Sequence, residues 1–312
     1  MADVPIAFLI MAHADPAMLE RLIKRMYDPA SLYVIHINVR SDITPFLAAF
    51  ADMPNVCFVP DDQRIAVNWA GFSFTEAVFS AIRHALHVQP DTQRFVLMSG
   101  ADYPIKPLPT ILAEVRKDQE IMTVSRTLDR RGQGFHNGLA KRYYLGDYEA
   151  FNVRSASWLL RKIGSAVNRF GPSRRPYPLQ LYHGASWWSL TREAMDYLLP
   201  MWGTPKMEWF RFSQLPDEMM LQTLLMHSPR REFIKYNQLL GIGELDYEKG
   251  VNGPHFANWR DPNPHLPRHL EESDIAEVMA AEPLFMRKVD SVRSRPLLDC
   301  VDEFLEKAAT DG

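Results

Sequence analysis

Four short apolar runs, broken only by His36, limit what this chain can fold into: Ile6–Ala12, Leu32–Ile37, Val56–Val59 and Phe95–Met98. Each is too short for a helix of its own and lacks polar alternation, so each reads as a strand covered on both faces. Between them, Ala17–Met26, Pro45–Phe50 and Thr75–Val88 carry apolar residues at helical spacing, and Asp28-Pro29 stops the first of these. Strand alternating with helix predicts an α/β fold with a mostly parallel sheet flanked by helices. Such sheets bind ligands beyond the carboxyl ends of their strands. His13, Asn38 and Asp102 each stand at or just past such an end.

Further along, regularity fades and returns. Residues 126–180 are basic and Gly/Pro-punctuated, with little periodicity before Trp158–Val167. This stretch reads as a long excursion over the sheet, because it lacks the apolar mass for a core of its own. Ala185–Leu190 resumes regular structure, and Arg192–Leu199 reads as a helix. Pro216–Met226 reads as another, with Pro216 near its first position and Asp217 and Glu218 in its first turn. The Gly/Pro/Asn-rich stretch Gly241–Pro267 reads as irregular, and Asp274–Ala281 and Pro296–Lys307 as terminal helices. The expected organisation is one domain over residues 1–312, with 241–312 as a C-terminal portion.

Composition excludes several partners. Lys and Arg number 35 against 38 Asp and Glu, a net charge of −3, so no global field draws in nucleic acid. The cysteines, Cys57 and Cys300, cannot build a disulfide framework or a cysteine-ligated zinc site, and reduced thiols are expected. The first apolar run is too short to span a membrane and lacks the basic start of a signal peptide. The expectation is a cytoplasmic chain without a transmembrane segment. No phosphate-cradling G-x-x-x-x-G-K-[ST] loop, G-x-S-x-G elbow or H-E-x-x-H helix is present. The histidines lack ligand spacing, Asp61-Asp62 reads as a solvated turn, and Asp102 is a lone carboxylate where a metal-binding pair would stand. No metal site is predicted.

Asp217-Glu218 is the strongest catalytic candidate. A helix N-terminus stabilises the carboxylate, while burial against Trp187, Trp188 or Trp209 would raise its pKa toward the working pH of a general base. The plainer reading is a pair of helix-stabilising acids. Arg260, Arg268, Arg287, Lys288, Arg293 and Arg295 either converge on a diphosphate or form a solvated basic face. Trp69, Trp187 and Trp188 offer flat faces for sugar rings or simply pack in the core. Asp102 either binds substrate or braces the turn before Pro104.

The ordered motifs resemble the core-2/I-branching β-1,6-N-acetylglucosaminyltransferase and peptide O-xylosyltransferase family, glycosyltransferase family 14. They run from Ile6–His13 through Val34-Ile35-His36-Ile37-Asn38 and Val67-Asn68-Trp69-Ala70-Gly71-Phe72-Ser73. Leu97-Met98-Ser99-Gly100-Ala101-Asp102-Tyr103-Pro104-Ile105-Lys106 is close to the family's LSG-x-DYPIK signature. His183-Gly184-Ala185-Ser186-Trp187 resembles its SGSAW segment. Pro216-Asp217-Glu218 matches its PDE, and Leu284-Phe285-Met286-Arg287-Lys288-Val289 resembles LFARKF.

The resemblance implies a GT-A-like fold that moves xylose or N-acetylglucosamine from a UDP donor with inversion and without an essential metal. A saccharide, glycolipid or protein hydroxyl would be the acceptor. The implied base is Glu218. The implied diphosphate clamp is Lys288, beside Arg287, with Arg268 or Arg260. Met11 and Asn38 fall at the implied uridine site, with His13 a further donor-site candidate, and Trp69, Asp102, Gly184, Ser186, Trp187 and Asp217 are candidates for the substrate site.

Three departures qualify it. Asn38 replaces the family's aspartate, so it brings no charge and both donates and accepts hydrogen bonds. His183 stands where serine is usual. The cysteines and membrane anchor of animal members are lacking, which fits a reducing cytoplasm and a bacterial-type acceptor, with peripheral membrane contact through that acceptor. A non-catalytic saccharide-binding protein on the same fold, or a metal-dependent nucleotide-sugar enzyme of another GT-A family, are the alternatives.

Overall fold

The computed structural model describes residues 4–129, 135–139, 141–152, 155–173, 176–243, 251–259 and 267–310. Its strands in chain order are β1 (Ile6–Ala12), β2 (Leu32–Ile37), β3 (Val56–Phe58), β4 (Arg94–Ser99), β5 (Asp102–Pro104), β6 (Glu120–Val124) and β7 (Arg126–Leu128). They continue as β8 (Leu181–His183), β9 (Ser189–Thr191), β10 (Ile234–Asn237), β11 (Val251–Asn252), β12 (His255–Ala257) and β13 (Phe285–Arg287).

The four apolar runs become β1, β2, β3 and β4 of a seven-stranded sheet ordered β10-β6-β9-β4-β1-β2-β3. Of these strands only β9 runs antiparallel to its neighbours. Side chains of β1 alternate between two cores, as the pleat requires. Ala7, Leu9 and Met11 join Phe72, Phe79 and Leu190 on one face. Ile6, Phe8 and Ile10 join Phe285, Leu297 and Val301 on the other. The expected mostly parallel sheet between helical layers is therefore present. A second sheet, β11-β12-β13-β5, and a ribbon of β7 with β8 stand beside it.

The stretch Gly241–Pro267, expected to be irregular, contains β11 and β12 and so supplies half of the second sheet. β7, at the start of the excursion, pairs with β8 just past its end, and the helix Trp158–Phe170 runs three residues beyond its expected end at Val167. Ser157 caps that helix by accepting from the Leu160 amide. Among the described residues no helix is long and apolar enough to cross a membrane.

A buried ion network holds β6, β9 and the turn before β10 together. Glu120 is fully buried and accepts from Arg230 Nε at 2.7 Å, the Thr191 amide at 2.9 Å and Thr191 Oγ1 at 2.6 Å. Arg230, itself 3% exposed, also reaches Asp118 at 2.5 Å and Glu193 at 3.1 Å. Arg94, 2% exposed, lies close by and donates to the Gln119 carbonyl at 2.8 Å.

The carboxyl ends of β1, β2, β4 and β6 share one edge of the large sheet. The candidate residues gather along that edge.

Candidate active site

The proposed first turn of a Pro216–Met226 helix is broken. Pro216–Glu218 forms a single 3-10 turn, and the α-helix begins separately at Met220. The cause is tertiary. Leu215, before the turn, is left-handed at φ 53°, and the Glu218 carbonyl accepts the Gly184 amide at 2.9 Å instead of an amide one helical turn ahead. The helix-dipole argument for Asp217 and Glu218 therefore falls away, and their surroundings set their charge.

Those surroundings push both carboxyls toward neutrality. Burial, then the neighbouring Glu218, raises Asp217 to about 7, against a 2.7 Å hydrogen bond from Ser186 Oγ that favours the anion. Burial likewise raises Glu218 to about 7, against the opposing pull of Arg287. Side by side they titrate as a pair. His183, ending β8, places Nε2 3.1 Å from Glu218 Oε2. Burial and then Arg126 lower His183 to about 4, so the ring is neutral at neutral pH. The His136 ring meets it edge-on with centroids 4.8 Å apart.

Gly184 sits where a side chain has no room. A Cβ there would lie 1.7 Å from the Thr123 carbonyl oxygen at the end of β6. This close approach lets its amide reach Glu218. Gly184→Ala is expected to lower unfolding stability by about 2 kcal/mol or more. Denaturant unfolding checks it; an unchanged midpoint would show that the β6–β8 contact yields freely.

Arg287, at the end of β13, comes in from the other side. Its guanidinium lies over the Trp187 ring at 4.1 Å from the centroid and 3.7 Å from Asp102 Oδ1. The residue is 7% exposed, yet Nε and Nη1 make no hydrogen bond among the described residues. Burial lowers its pKa, and Asp102 and Glu218 oppose that shift. Lys288 follows, its pKa lowered by burial and by Arg287. A desolvated cation, Arg287, thus acts on the Glu218 carboxyl, and a second, Lys288, follows it in the chain.

Asp102 proves to be a brace. It is fully buried, accepts from the Ser99 amide at 2.8 Å and Ser99 Oγ at 2.7 Å, and lies 3.1 Å from His255 Nε2. Burial alone would raise its pKa, but the charges of Arg287 and His255 outweigh that and hold it near 2. No face is left for a substrate. In the sequence His255 is marked only as a histidine inside a Gly/Pro/Asn-rich stretch.

The remaining candidates divide. Trp187 keeps a partly open face and packs edge-on against Phe74. Trp188 is 2% exposed in the core, so the sugar-stacking expectation fails for it. Trp69 is 48% exposed on a loop whose next residue, Ala70, is left-handed at φ 61°. The Ala70 carbonyl accepts the amide of Leu215, so two strained residues join this loop to the Pro216–Glu218 turn.

Met11 and Asn38 close the ends of β1 and β2, each 8% exposed, and His13 lies exposed just beyond. Asn38 spends its side chain locally, donating to the Val67 carbonyl at 3.2 Å and accepting the Arg40 amide at 3.1 Å. Leu270, two residues after Arg268, donates to the Lys288 carbonyl, and Arg268 itself is tied by backbone to Asn258. Its guanidinium turns away to Asp274. Arg260 lies outside the described residues. Among the described residues no group of three or more His, Cys, Asp or Glu is placed to hold a metal ion.

The model of the Core-2/I-branching enzyme family matches residues 6–279. The chain belongs to that family. Members of curated standing resemble it along nearly its whole length. A β-1,3-galactosyl-O-glycosyl-glycoprotein β-1,6-N-acetylglucosaminyltransferase of Bos taurus is 24% identical over 99% of this chain and 71% of its own. Xylosyltransferase 1 of Homo sapiens is 23% identical over 97% of this chain, but this chain spans only 30% of it. A Ciona intestinalis xylosyltransferase is 22% identical, with 34% of its length spanned. Apo mouse xyloside xylosyltransferase 1 aligns with 73% of this chain and 83% of its own at 14% identity and a TM-score of 0.32. This Core-2/I-branching chain carries Asp217 and Glu218 inside the matched span, whereas Arg287 and Lys288 lie beyond it.

Proposed function

We propose that this member of the family is an inverting glycosyltransferase that uses a UDP-sugar donor and needs no metal. The observation that carries this reading is Glu218, its carboxyl raised to about 7, within the electrostatic reach of the buried and incompletely bonded guanidinium of Arg287. Glu218 takes the proton of an acceptor hydroxyl as that oxygen bonds to the sugar's anomeric carbon. The bond from that carbon to the diphosphate breaks, and the negative charge left on UDP is met by Arg287 and Lys288. Cations fixed in a dry site do this without reorganising. Asp102, the lone carboxylate after β4, is engaged with Arg287 and His255, which supports the metal-free version. Xylose and N-acetylglucosamine are the sugars the named relatives favour.

The test is sugar transfer and donor hydrolysis with UDP-xylose and UDP-N-acetylglucosamine, with and without chelator. Turnover that survives chelator supports the reading, and turnover lost in chelator and restored by a divalent cation overturns its metal-free part. Saccharide binding with no turnover on any donor would favour a carbohydrate-binding protein. The same assay reads proton release. Because Glu218 must be ionised to act and its pKa is raised, kcat/KM is expected to climb with pH to a midpoint near 7. A flat profile from about pH 5 to pH 8 would remove the buried carboxyl from the rate law.

A further inference from the structure

The helix Trp158–Phe170 is amphipathic, but its apolar stripe faces outward. Leu159, Ile163 and Phe170 are 53%, 42% and 75% exposed, and Trp158 at its start is 60% exposed. At helical spacing Leu159, Ile163, Ala166 and Phe170 lie on one face. The opposite side seats the helix on the protein. Gly164 is buried against Phe151, where a Cβ would meet the carbonyl oxygen at 2.9 Å, and Asn168 accepts the Leu145 amide at 3.2 Å. None of the outward residues belongs to either core.

Cations flank that stripe. Lys162 lies 4.9 Å above the Trp158 ring and Arg169 lies 5.3 Å above that of Phe170, each a flexible stem with its charge beside an aromatic plane. The surrounding sequence is one-sided. Residues 150–180 contain Arg154, Arg161, Lys162, Arg169, Arg174 and Arg175 and no acidic residue, in a chain whose net charge is −3. A protein partner of ordinary composition does not call for a tract purged of acids, whereas an anionic bilayer does. Apolar side chains, a tryptophan and a Lys/Arg fringe on one exposed face make the pattern of a helix lying in a lipid interface.

We propose that the helix Trp158–Phe170 docks this protein on an anionic membrane surface. Leu159, Ile163 and Phe170 enter the headgroup–acyl boundary, and Lys162 and Arg169 stay at the level of the lipid phosphates. The inference stands on this helix and the basic tract around it and is independent of the sugar-transfer reading. It does bear on where transfer would take place. The segment that carries the helix is bonded to the Trp69 loop, through Tyr144 to the Trp69 carbonyl at 3.2 Å and through Asn152 to Asn68 at 2.8 Å.

The test is co-sedimentation of the purified full chain with vesicles of equal parts phosphatidylglycerol and phosphatidylcholine, against vesicles of phosphatidylcholine alone. Binding is expected to the anionic vesicles, at least tenfold weaker to the neutral ones, and diminished by salt. Lys162→Gln and Arg169→Gln should each weaken it about fivefold. Ile163→Ser with Phe170→Ser should abolish it, while melting temperature stays unchanged because both side chains are exposed. Absence of binding to anionic vesicles at low salt, or binding that these variants leave intact, would overturn the proposal. So would a concentration-dependent dimer of the wild-type chain that Ile163→Ser with Phe170→Ser disperses, since the stripe would then be a subunit interface.

Discussion

Glu218→Gln is expected to leave a folded protein that binds UDP normally and transfers sugar about a thousandfold more slowly. The amide keeps the shape of the carboxyl but cannot take a proton. Stability should move the other way. A carboxyl whose folded pKa is raised to about 7 contributes stability that is fully present in acid and is lost as pH rises through that value. At pH 4 the substitution should therefore be nearly neutral. At pH 8, where the wild type holds a half-buried anion, it should stabilise the fold by about 1 kcal/mol. Removing the charge also relieves Asp217, whose own pKa is raised by burial and then by Glu218. Denaturant midpoints at the two pH values, with kinetics at one, check both halves. Near-normal transfer would take Glu218 out of the base role, and equal midpoints at pH 8 would show its carboxylate to be solvated.

The largest loss of stability is expected far from the chemistry. Glu120→Ala should cost about 3–5 kcal/mol, because it takes from the buried guanidinium of Arg230 its fully buried counter-charge, leaves it only the solvent-exposed Asp118 and Glu193, and removes the carboxylate that acts most strongly on Arg94. It also frees the amide and hydroxyl of Thr191, both of which donate to Glu120. The melting temperature should fall by roughly 10 °C. Replacing Arg230 by Met in the same chain is expected to recover part of the loss, since an absent cation needs no partner. A loss under about 1 kcal/mol for the single change would mean that water enters and solvates Arg230.

The strand order's raw material was visible in the chain. Runs such as Ile6–Ala12 and Leu32–Ile37 are apolar because both faces of β1 and β2 are covered, and no competing pattern explains them. The local reading failed where long-range contacts overrode it. Pro-Asp-Glu is good chemistry for a helix start, yet the Gly184 amide claims the Glu218 carbonyl and ends the turn there. The sequence also named Asp102 without its partner. His255 lies 153 residues away, and β12 is only three residues long, so neither periodicity nor spacing marks it. Arg287 and Lys288 were legible as a charge pair, but the Trp187 ring beneath the arginine was visible only as an aromatic of unassigned use.

The lone antiparallel strand has a consequence for the order in which the molecule comes together. β9 is wedged between β4 and β6, although some ninety residues separate it from the end of β4. During synthesis β1, β2, β3 and β4 can pair as soon as they emerge, but β4 keeps an open edge until residues 189–191 arrive. An unpaired apolar edge is the part of a nascent chain most exposed to wrong partners. The segment that closes it is Gly184–Trp188 running straight into β9, the same segment that reaches the Glu218 turn. Closing the β4 edge thus also fixes Gly184, whose amide holds the Glu218 carbonyl, so the finished sheet and the Pro216–Glu218 turn depend on one segment.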